Sequence, residues 1–304
     1  MKVMPYGSMV TRLKKILSQK GPHSEEFKDI IKIFEDLSKD DEIEQFREML
    51  EPILKSDTLM GHSFIKPLGY SGDYQIIEKM YTSHKSLNPE YFKWDEFFHW
   101  LPAVTAVVNR KGIAVNLLKS LNQKTKKTRT RVLILGSGPA TEVNDYFESV
   151  TENKLYFDLV DFDQRAIDHA EAKNWKYMDY INFHNKNVLR FSPEGFYDLI
   201  WSAGLFDYFQ DKLFIRLLKR FSCSLSDQGE MIIGNFNTFN PSRKIMEVLG
   251  DWYLYHRSEE QLMNFATEAG ITPENIEIFS EPLKINLFLK VKKSDNPVNI
   301  PDDL

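Results

Sequence analysis

Apolar residues recur at every third or fourth position through the first part of the chain. This period is clear at 24–39 and 41–54, where acidic residues also stand early in each segment, as is typical of helix starts. The glycine-rich stretch PLGYSGDY interrupts the pattern at 67–74, and the aromatic-rich segment 92–121 resumes it. We therefore predict a helical region over residues 1–122.

From about residue 130 the pattern changes to short β-branched or aromatic runs. Helical patterns separate most of them, at 211–225 and 258–270 for example. Strands that alternate with helices predict an α/β domain over 123–304, with a mostly parallel sheet covered by helices on both faces. The predicted strands are 132–136, 155–163, 180–185, 197–204, 230–236 and 286–293.

Composition limits the classes of protein that fit. Of 304 residues, 42% are apolar and 13% aromatic, enough for a substantial core. The net charge of −5 and the pI near 5.9 argue against a nucleic-acid partner, and we interpret the basic cluster at 124–131 as a solvated linker. No apolar run approaches 18 residues and no apolar leader opens the chain, so we expect a cytoplasmic protein without a membrane span.

Cys223 is the only cysteine, so no disulfide can form within the chain and no cysteine-based zinc site is available. It stands in the helical pattern of 211–225, where a small buried apolar residue is the expected role. We find no metal-ligand spacing elsewhere and predict no metal site.

The first predicted strand of the α/β region ends in the motif RVLILGSGPATEV, residues 131–143. In parallel sheets, ligands bind beyond the carboxyl ends of the strands, where Gly136 and Gly138 lie. Glycine permits positive φ there and lets a ligand approach the backbone. The motif also occurs in plain tight turns, so by itself it does not distinguish a ligand-binding loop from a simple turn.

The residues at the end of the second predicted strand favour a ligand-binding loop over a plain turn. Asp161 follows Gly136 by 25 residues, close to the spacing of an acid that binds ribose hydroxyls. Asp163 suits the N-cap of the next helix better and leaves Asp161 for the ribose. Thr141 replaces a third glycine, and Glu142 adds negative charge where a pyrophosphate would approach. These residues predict a nucleoside cofactor without phosphates, a description that S-adenosylmethionine meets.

Four motifs, VLILGSGPATEV, LVDFDQRAID, NKNV and YDLIWSAGLFDYFQD, resemble in order and spacing those of class I S-adenosylmethionine-dependent methyltransferases. The resemblance covers about 130–292 and implies a Rossmann-like, doubly wound, seven-stranded mostly parallel sheet with S-adenosylmethionine as co-substrate. Asn187 stands where such enzymes often have Asp. The implied cofactor residues are Gly136, Ser137 and Gly138 near the methionine, Asp161 at the ribose, Phe162, Asn187 and Val188 at the adenine, and Ser202, Ala203 and Gly204 at the methyl end.

A narrower resemblance involves residues 66–74, 202–209 and 235–262. They are similar to a bacterial subgroup that includes 3-hydroxypalmitate methyl ester synthase and contains carboxylate O-methyltransferases of fatty acids. The likeness covers most of the chain, although members of the subgroup need not share a substrate. It favours a lid at 67–74 that covers the cofactor through Tyr70, Asp73 and Tyr74. The alternative is an interhelical turn with Asp73 as N-cap.

Methyl transfer to a carboxylate needs no general base, but it needs donors that hold the acceptor. Arg243 and Arg257 are the candidate clamps and Tyr255 a further donor; the alternatives are a contact at a helix start for Arg243 and an ion pair with Asp251 for Arg257. An amine or hydroxyl acceptor would instead need a base. The candidates for that role are Asp207, His62 and His99, and a structural role is the more typical one for His99.

The leading hypothesis is thus a methyltransferase of a small or medium, partly apolar acceptor, most favourably a carboxylic acid. An alternative keeps the cofactor but releases methylthioadenosine, by aminocarboxypropyl transfer or by cyclisation. A nucleic-acid methylase is disfavoured by the acidic balance and by SAGLFDY at 202–208. A non-catalytic nucleoside-binding scaffold is disfavoured by the intact glycine motif and Asp161. The sequence leaves open whether the N-terminal helices form a lid, the interface of a homodimer, or both.

Overall fold

The computed structural model describes residues 3–293. Twelve α-helices lie in this part of the chain: α1 Tyr6–Ser18, α2 Phe27–Asp36, α3 Asp40–Leu54, α4 Leu59–Ile65, α5 Tyr74–Tyr81, α6 Phe92–Trp100, α7 Pro102–Lys124, α8 Thr141–Glu148, α9 Gln164–Lys173, α10 Asp211–Ser222, α11 Arg243–Gly250 and α12 Glu259–Glu268. The strands are β1 Thr130–Leu135, β2 Leu155–Asp161, β3 Ile181–Asn185, β4 Tyr197–Ser202, β5 Leu225–Phe236, β6 Ile276–Ser280 and β7 Asn286–Lys292.

The seven strands form one sheet in the order β3-β2-β1-β4-β5-β7-β6. Among these strands β7 runs opposite to the other six, which share one direction. Strand order reverses between β1 and β4, which places the switch point beside the glycine motif. The predicted fold class is confirmed. The strand that the sequence pattern did not single out is β6, a short and partly exposed edge strand.

Alternate residues of the strands build two cores, one on each face of the sheet. On one face Trp201 stacks on Phe288 at 5.5 Å between ring centroids, with Ala114 and Leu118 of α7 in the same cluster. The other face buries Phe214 and its neighbours on α10 together with Leu262 of α12. Because both faces are covered, the strands read as nearly continuous apolar runs.

The described residues fall into two compact units. The helical unit contains those up to Val108 together with Phe239–Tyr253, and the sheet unit contains Asn109–Thr238 and those from Leu254 onward. The division lies within α7, not at the predicted boundary between 122 and 123. The segment 239–253 joins the helical unit because α11 packs on α2, α3 and α4. Nothing in the apolar pattern distinguishes this segment from the α/β region that surrounds it in sequence.

Cys223 is exposed, so the expectation of a buried cysteine is wrong. The buried stripe of α10 consists of Phe214, Leu217, Leu218 and Phe221, and Cys223 falls at the C-cap, beyond that stripe. Within residues 3–293 no helix combines the length and the apolar character needed to cross a membrane.

Candidate cofactor and acceptor site

The glycine loop connects β1 to α8. Gly136 and Gly138 both adopt positive φ, +67° and +51°, which favours glycine at these positions. The N–H groups of Gly136 and Ser137 donate to the carbonyl of Val160 at 2.9 and 3.1 Å and so anchor the loop to β2. A Cβ built on Gly136 would lie 3.1 Å from Cβ of Leu205, whereas one on Gly138 meets no atom within 4 Å. The loop is therefore fixed on one side and open at Gly138.

Asp161, the last residue of β2, is bonded to this loop. Its Oδ2 accepts a hydrogen bond from Gly138 N at 2.8 Å, and its Oδ1 accepts one from Asp163 N at 3.0 Å. Burial raises the pKa of Asp161, and these two N–H groups oppose the rise. Asp163 accepts from Arg165 N at 3.0 Å, which confirms that Asp163 is the N-cap of α9.

The residues after β2 and β3 lie at the same edge of the sheet. Phe162 is 56% exposed, and its carbonyl accepts a hydrogen bond from Asn185 Nδ2 at 3.0 Å. Asn187 is exposed and uses its Oδ1 to accept from Leu189 N at 2.9 Å, while Val188 is buried. This edge thus offers an aromatic face and a side-chain amide, the groups that the resemblance assigns to adenine.

The end of β4 lies beside the end of β1. Ser202 Oγ donates to the carbonyl of Leu135 at 3.0 Å. The carbonyl of Ala203 accepts a long hydrogen bond of 3.4 Å from Nη1 of Arg110. A Cβ on Gly204 would lie 2.7 Å from the same nitrogen, so a larger residue here would displace the guanidinium from its present position.

Arg110, on α7, is the residue that the sequence analysis missed. It is 7% exposed, and its Nε is buried without a hydrogen-bond partner. The arginine–carboxylate ion pairs found in the described residues involve Arg12, Arg47, Arg131, Arg165, Arg243 and Arg257, and not Arg110. Its sequence context gave no signal, because Asn109 and Lys111 flank it and such a polar cluster on a helix normally faces solvent.

Two buried carboxyls, those of Asp207 and Glu142, interact electrostatically with Arg110. Asp207 is 1% exposed, and its Oδ1 accepts from Phe236 N at 2.6 Å. Burial raises the pKa of Asp207 to about 6, although the Phe236 N–H and two guanidinium groups act in the opposite direction. Burial also raises the pKa of Glu142, in the first turn of α8, and Arg110 again opposes the rise.

Arg257 has no donor left for an acceptor. Its Nε and Nη2 donate to Asp211, and its Nη1 donates to Asn235 Oδ1 at 2.8 Å. The carbonyls of Phe206 and Phe209 accept further bonds from Nη1 and Nη2. The guanidinium is 1% exposed and joins the start of α10 to the end of β5, a structural role that replaces the predicted clamp.

The other acceptor candidates divide between the two units. Tyr255 is 44% exposed and donates its N–H to the carbonyl of Asp207 at 2.8 Å, so the sheet unit brings these two together. Arg243 belongs to the helical unit and pairs with Glu247 at 2.7 Å. Asp251, also in that unit, pairs with Lys66, so the alternative partner proposed for Arg257 is wrong.

In the helical unit, Asp73 ends the glycine-rich loop and caps α5. Its Oδ1 accepts from the N–H groups of Gln75 and Ile76 at 2.9 and 3.0 Å, which confirms the N-cap alternative. Its Oδ2 lies 2.9 Å from Nε2 of the buried His62, whose Nδ1 lies 3.1 Å from Nζ of Lys79. A role at the cofactor for Asp73, and for the two tyrosines of the loop, remains a prediction.

His99 has a structural hydrogen bond, as expected for a histidine among aromatic residues. Its Nε2 donates to the carbonyl of His84 at 2.7 Å.

Neither the protein-family models nor the curated proteins include a match to this chain. Solved structures do match. A possible exported protein from Bordetella parapertussis is 18% identical with a TM-score of 0.61 over 73% of this chain and 79% of that one. Magnesium protoporphyrin IX methyltransferase from Synechocystis, with bound S-adenosylhomocysteine, is 11% identical with a TM-score of 0.51 over 72% and 93%. At these identities the likeness establishes the fold, which is one that S-adenosylmethionine-dependent methyltransferases use.

Proposed function

We propose that this protein is an S-adenosylmethionine-dependent methyltransferase of a small or medium, partly apolar acceptor, and that it methylates a carboxylate oxygen. The observation that carries the proposal is the bond between Gly138 N and Asp161 at the switch point of the sheet. It joins a positive-φ glycine loop, open at Gly138, to an acid at the end of the neighbouring strand.

The residues present fit the cofactor. Both oxygens of Asp161 accept backbone N–H groups, and the four lone pairs of a carboxylate still leave an acceptor for a ribose hydroxyl. Phe162 presents an exposed ring for the adenine, and Ser137 Oγ is buried in the loop without a hydrogen-bond partner in the described chain. The buried carboxyl of Glu142 disfavours a pyrophosphate at α8. When bound, S-adenosylmethionine supplies an electrophilic methyl group.

A carboxylate acceptor agrees with the donors at this edge of the sheet. It is nucleophilic without a base, and it requires N–H groups that hold it in line. In the sheet unit, the half-exposed Tyr255 is the donor candidate that remains for such an acceptor, and its main-chain N–H binds the carbonyl of Asp207.

The test is incubation of the protein with S-adenosylmethionine, followed by mass spectrometry. One sample contains no acceptor, one contains decanoic acid and other fatty acids, and a matched one contains the corresponding alcohols. We expect S-adenosylhomocysteine and a methyl ester only with the acids. Products from the alcohols alone would refute the carboxylate, and methylthioadenosine without any acceptor would refute methyl transfer.

A further inference from the structure

Arg110 carries a buried charge that has no ion-pair partner among the described residues. The side chain is 7% exposed, and its Nε has no hydrogen-bond partner within the described residues. The bond from Nη1 to the carbonyl of Ala203 is long, at 3.4 Å. A buried charge without an ion pair costs several kcal/mol of folding free energy. Such an arginine is therefore a candidate for binding an anionic ligand.

The comparison with Arg257 shows what a structural arginine looks like in this protein. Arg257 is also buried, but Asp211, Asn235 and two main-chain carbonyls accept all of its N–H groups. Arg110 has no such set. Glu142 and Asp207 are close enough for Arg110 to lower their pKa values against the effect of burial, but neither forms an ion pair with it.

The place of Arg110 indicates which anion it binds. Its guanidinium lies against Ala203 and Gly204, immediately after β4, and β4 pairs with β1, which leads into the glycine loop. Gly204 has no side chain, and a Cβ there would lie within 3 Å of both terminal guanidinium nitrogens. The guanidinium thus lies directly over the backbone at Gly204, at the end of the sheet that holds Gly136.

We propose that Arg110 binds the α-carboxylate of the cofactor's amino-acid moiety. The inference rests on the proposed function, because it requires S-adenosylmethionine as the ligand. An acid acceptor also presents a carboxylate, so the two sources must be separated by binding the cofactor product without any acceptor.

The experiment is calorimetric titration of the full chain with S-adenosylhomocysteine and, separately, with methylthioadenosine, which lacks the amino-acid moiety. Arg110→Met should weaken S-adenosylhomocysteine binding by roughly 10- to 100-fold, the loss of one charge-assisted pair. Arg110→Lys should retain part of the affinity. Both variants should bind methylthioadenosine as the wild type does. The control is Lys111→Met, which removes the adjacent cation of α7 that pairs with Asp145.

Urea unfolding of the ligand-free proteins supplies a second readout. Removing an unpaired buried charge should leave Arg110→Met as stable as the wild type or more stable, which a structural arginine would not do. Unchanged S-adenosylhomocysteine affinity in Arg110→Met would overturn the inference, and so would an equal loss for methylthioadenosine. A wild type that binds neither compound would refute the proposed function itself.

Discussion

Oδ2 of Asp161 accepts a hydrogen bond from the main-chain N–H of Gly138 at 2.8 Å, so the acid that ends β2 holds the loop that follows β1. This contact joins the two sequence features that predicted a nucleoside cofactor, the glycine motif and the acid 25 residues beyond Gly136. The same carboxylate accepts the N–H of Asp163, so its position is fixed from both sides.

Asp161→Asn should weaken the binding of S-adenosylhomocysteine about 10- to 100-fold. The amide has one acceptor oxygen and no charge, so it accepts hydrogen bonds from the two ribose hydroxyls less well than a carboxylate does. Calorimetry measures the effect. The matched control is Asp163→Asn, two residues away, which retains an N-cap side chain for α9 and should bind as the wild type does. Equal losses in both variants would assign the effect to the local backbone.

Asp207→Asn should change how stability depends on pH. Burial raises the pKa of Asp207 in the folded state from 3.8 to about 6. The stability that the wild type gains from this raised pKa is fully present below the unfolded-state pKa, and it is lost as the pH rises through about 6. Asparagine does not ionise and still accepts the Phe236 N–H. The variant should therefore gain about 2–3 kcal/mol relative to the wild type between pH 4 and pH 7. Urea unfolding at several pH values measures this gain, and a difference that does not vary with pH would show that the carboxyl is well solvated.

Arg257→Met should lower the free energy of unfolding by about 3 kcal/mol, because it leaves Asn235 and two buried carbonyls without their donor. Arg243→Gln removes only a half-exposed pair with Glu247 and should cost less than about 0.5 kcal/mol. Urea unfolding compares the two. If Arg257→Met were as stable as the wild type and lost only turnover of the acceptor, Arg257 would be assigned to binding the acceptor carboxylate, as the sequence predicted.

Asp73→Ala should destabilise the helical unit by about 2 kcal/mol, since α5 loses its N-cap and His62 loses its carboxylate partner. Asp73→Asn retains a capping oxygen and should lose less. Calorimetric unfolding measures both. Asp73→Asn also tests the predicted lid, because weaker S-adenosylhomocysteine binding at unchanged stability would indicate a role at the cofactor.

The fold could be predicted from the sequence because the alternation of strands and helices is a local pattern with one common architectural solution. The N-cap roles of Asp73 and Asp163 were predictable for the same reason, since a cap depends on the residues that immediately follow it. The cofactor candidates at the glycine loop lie where strand ends must lie in any such sheet.

Arg110 could not be found in this way. A charged residue on a helix normally faces solvent, and only the packing of α7 places this one against Gly204. The role of Arg257 depends on carbonyls of Phe206 and Phe209, about 50 residues earlier, which no spacing rule connects. The transfer of 239–253 to the helical unit is likewise decided by tertiary packing.

The most direct measurement is calorimetric titration of the wild-type protein with S-adenosylhomocysteine, followed by NAD⁺. Both ligands contain adenosine, but only NAD⁺ brings a pyrophosphate to the start of α8, where Glu142 is buried. We predict that S-adenosylhomocysteine binds with one equivalent per chain and that NAD⁺ neither binds nor displaces it. NAD⁺ binding that excludes S-adenosylhomocysteine would contradict the methyltransferase and point to dinucleotide chemistry.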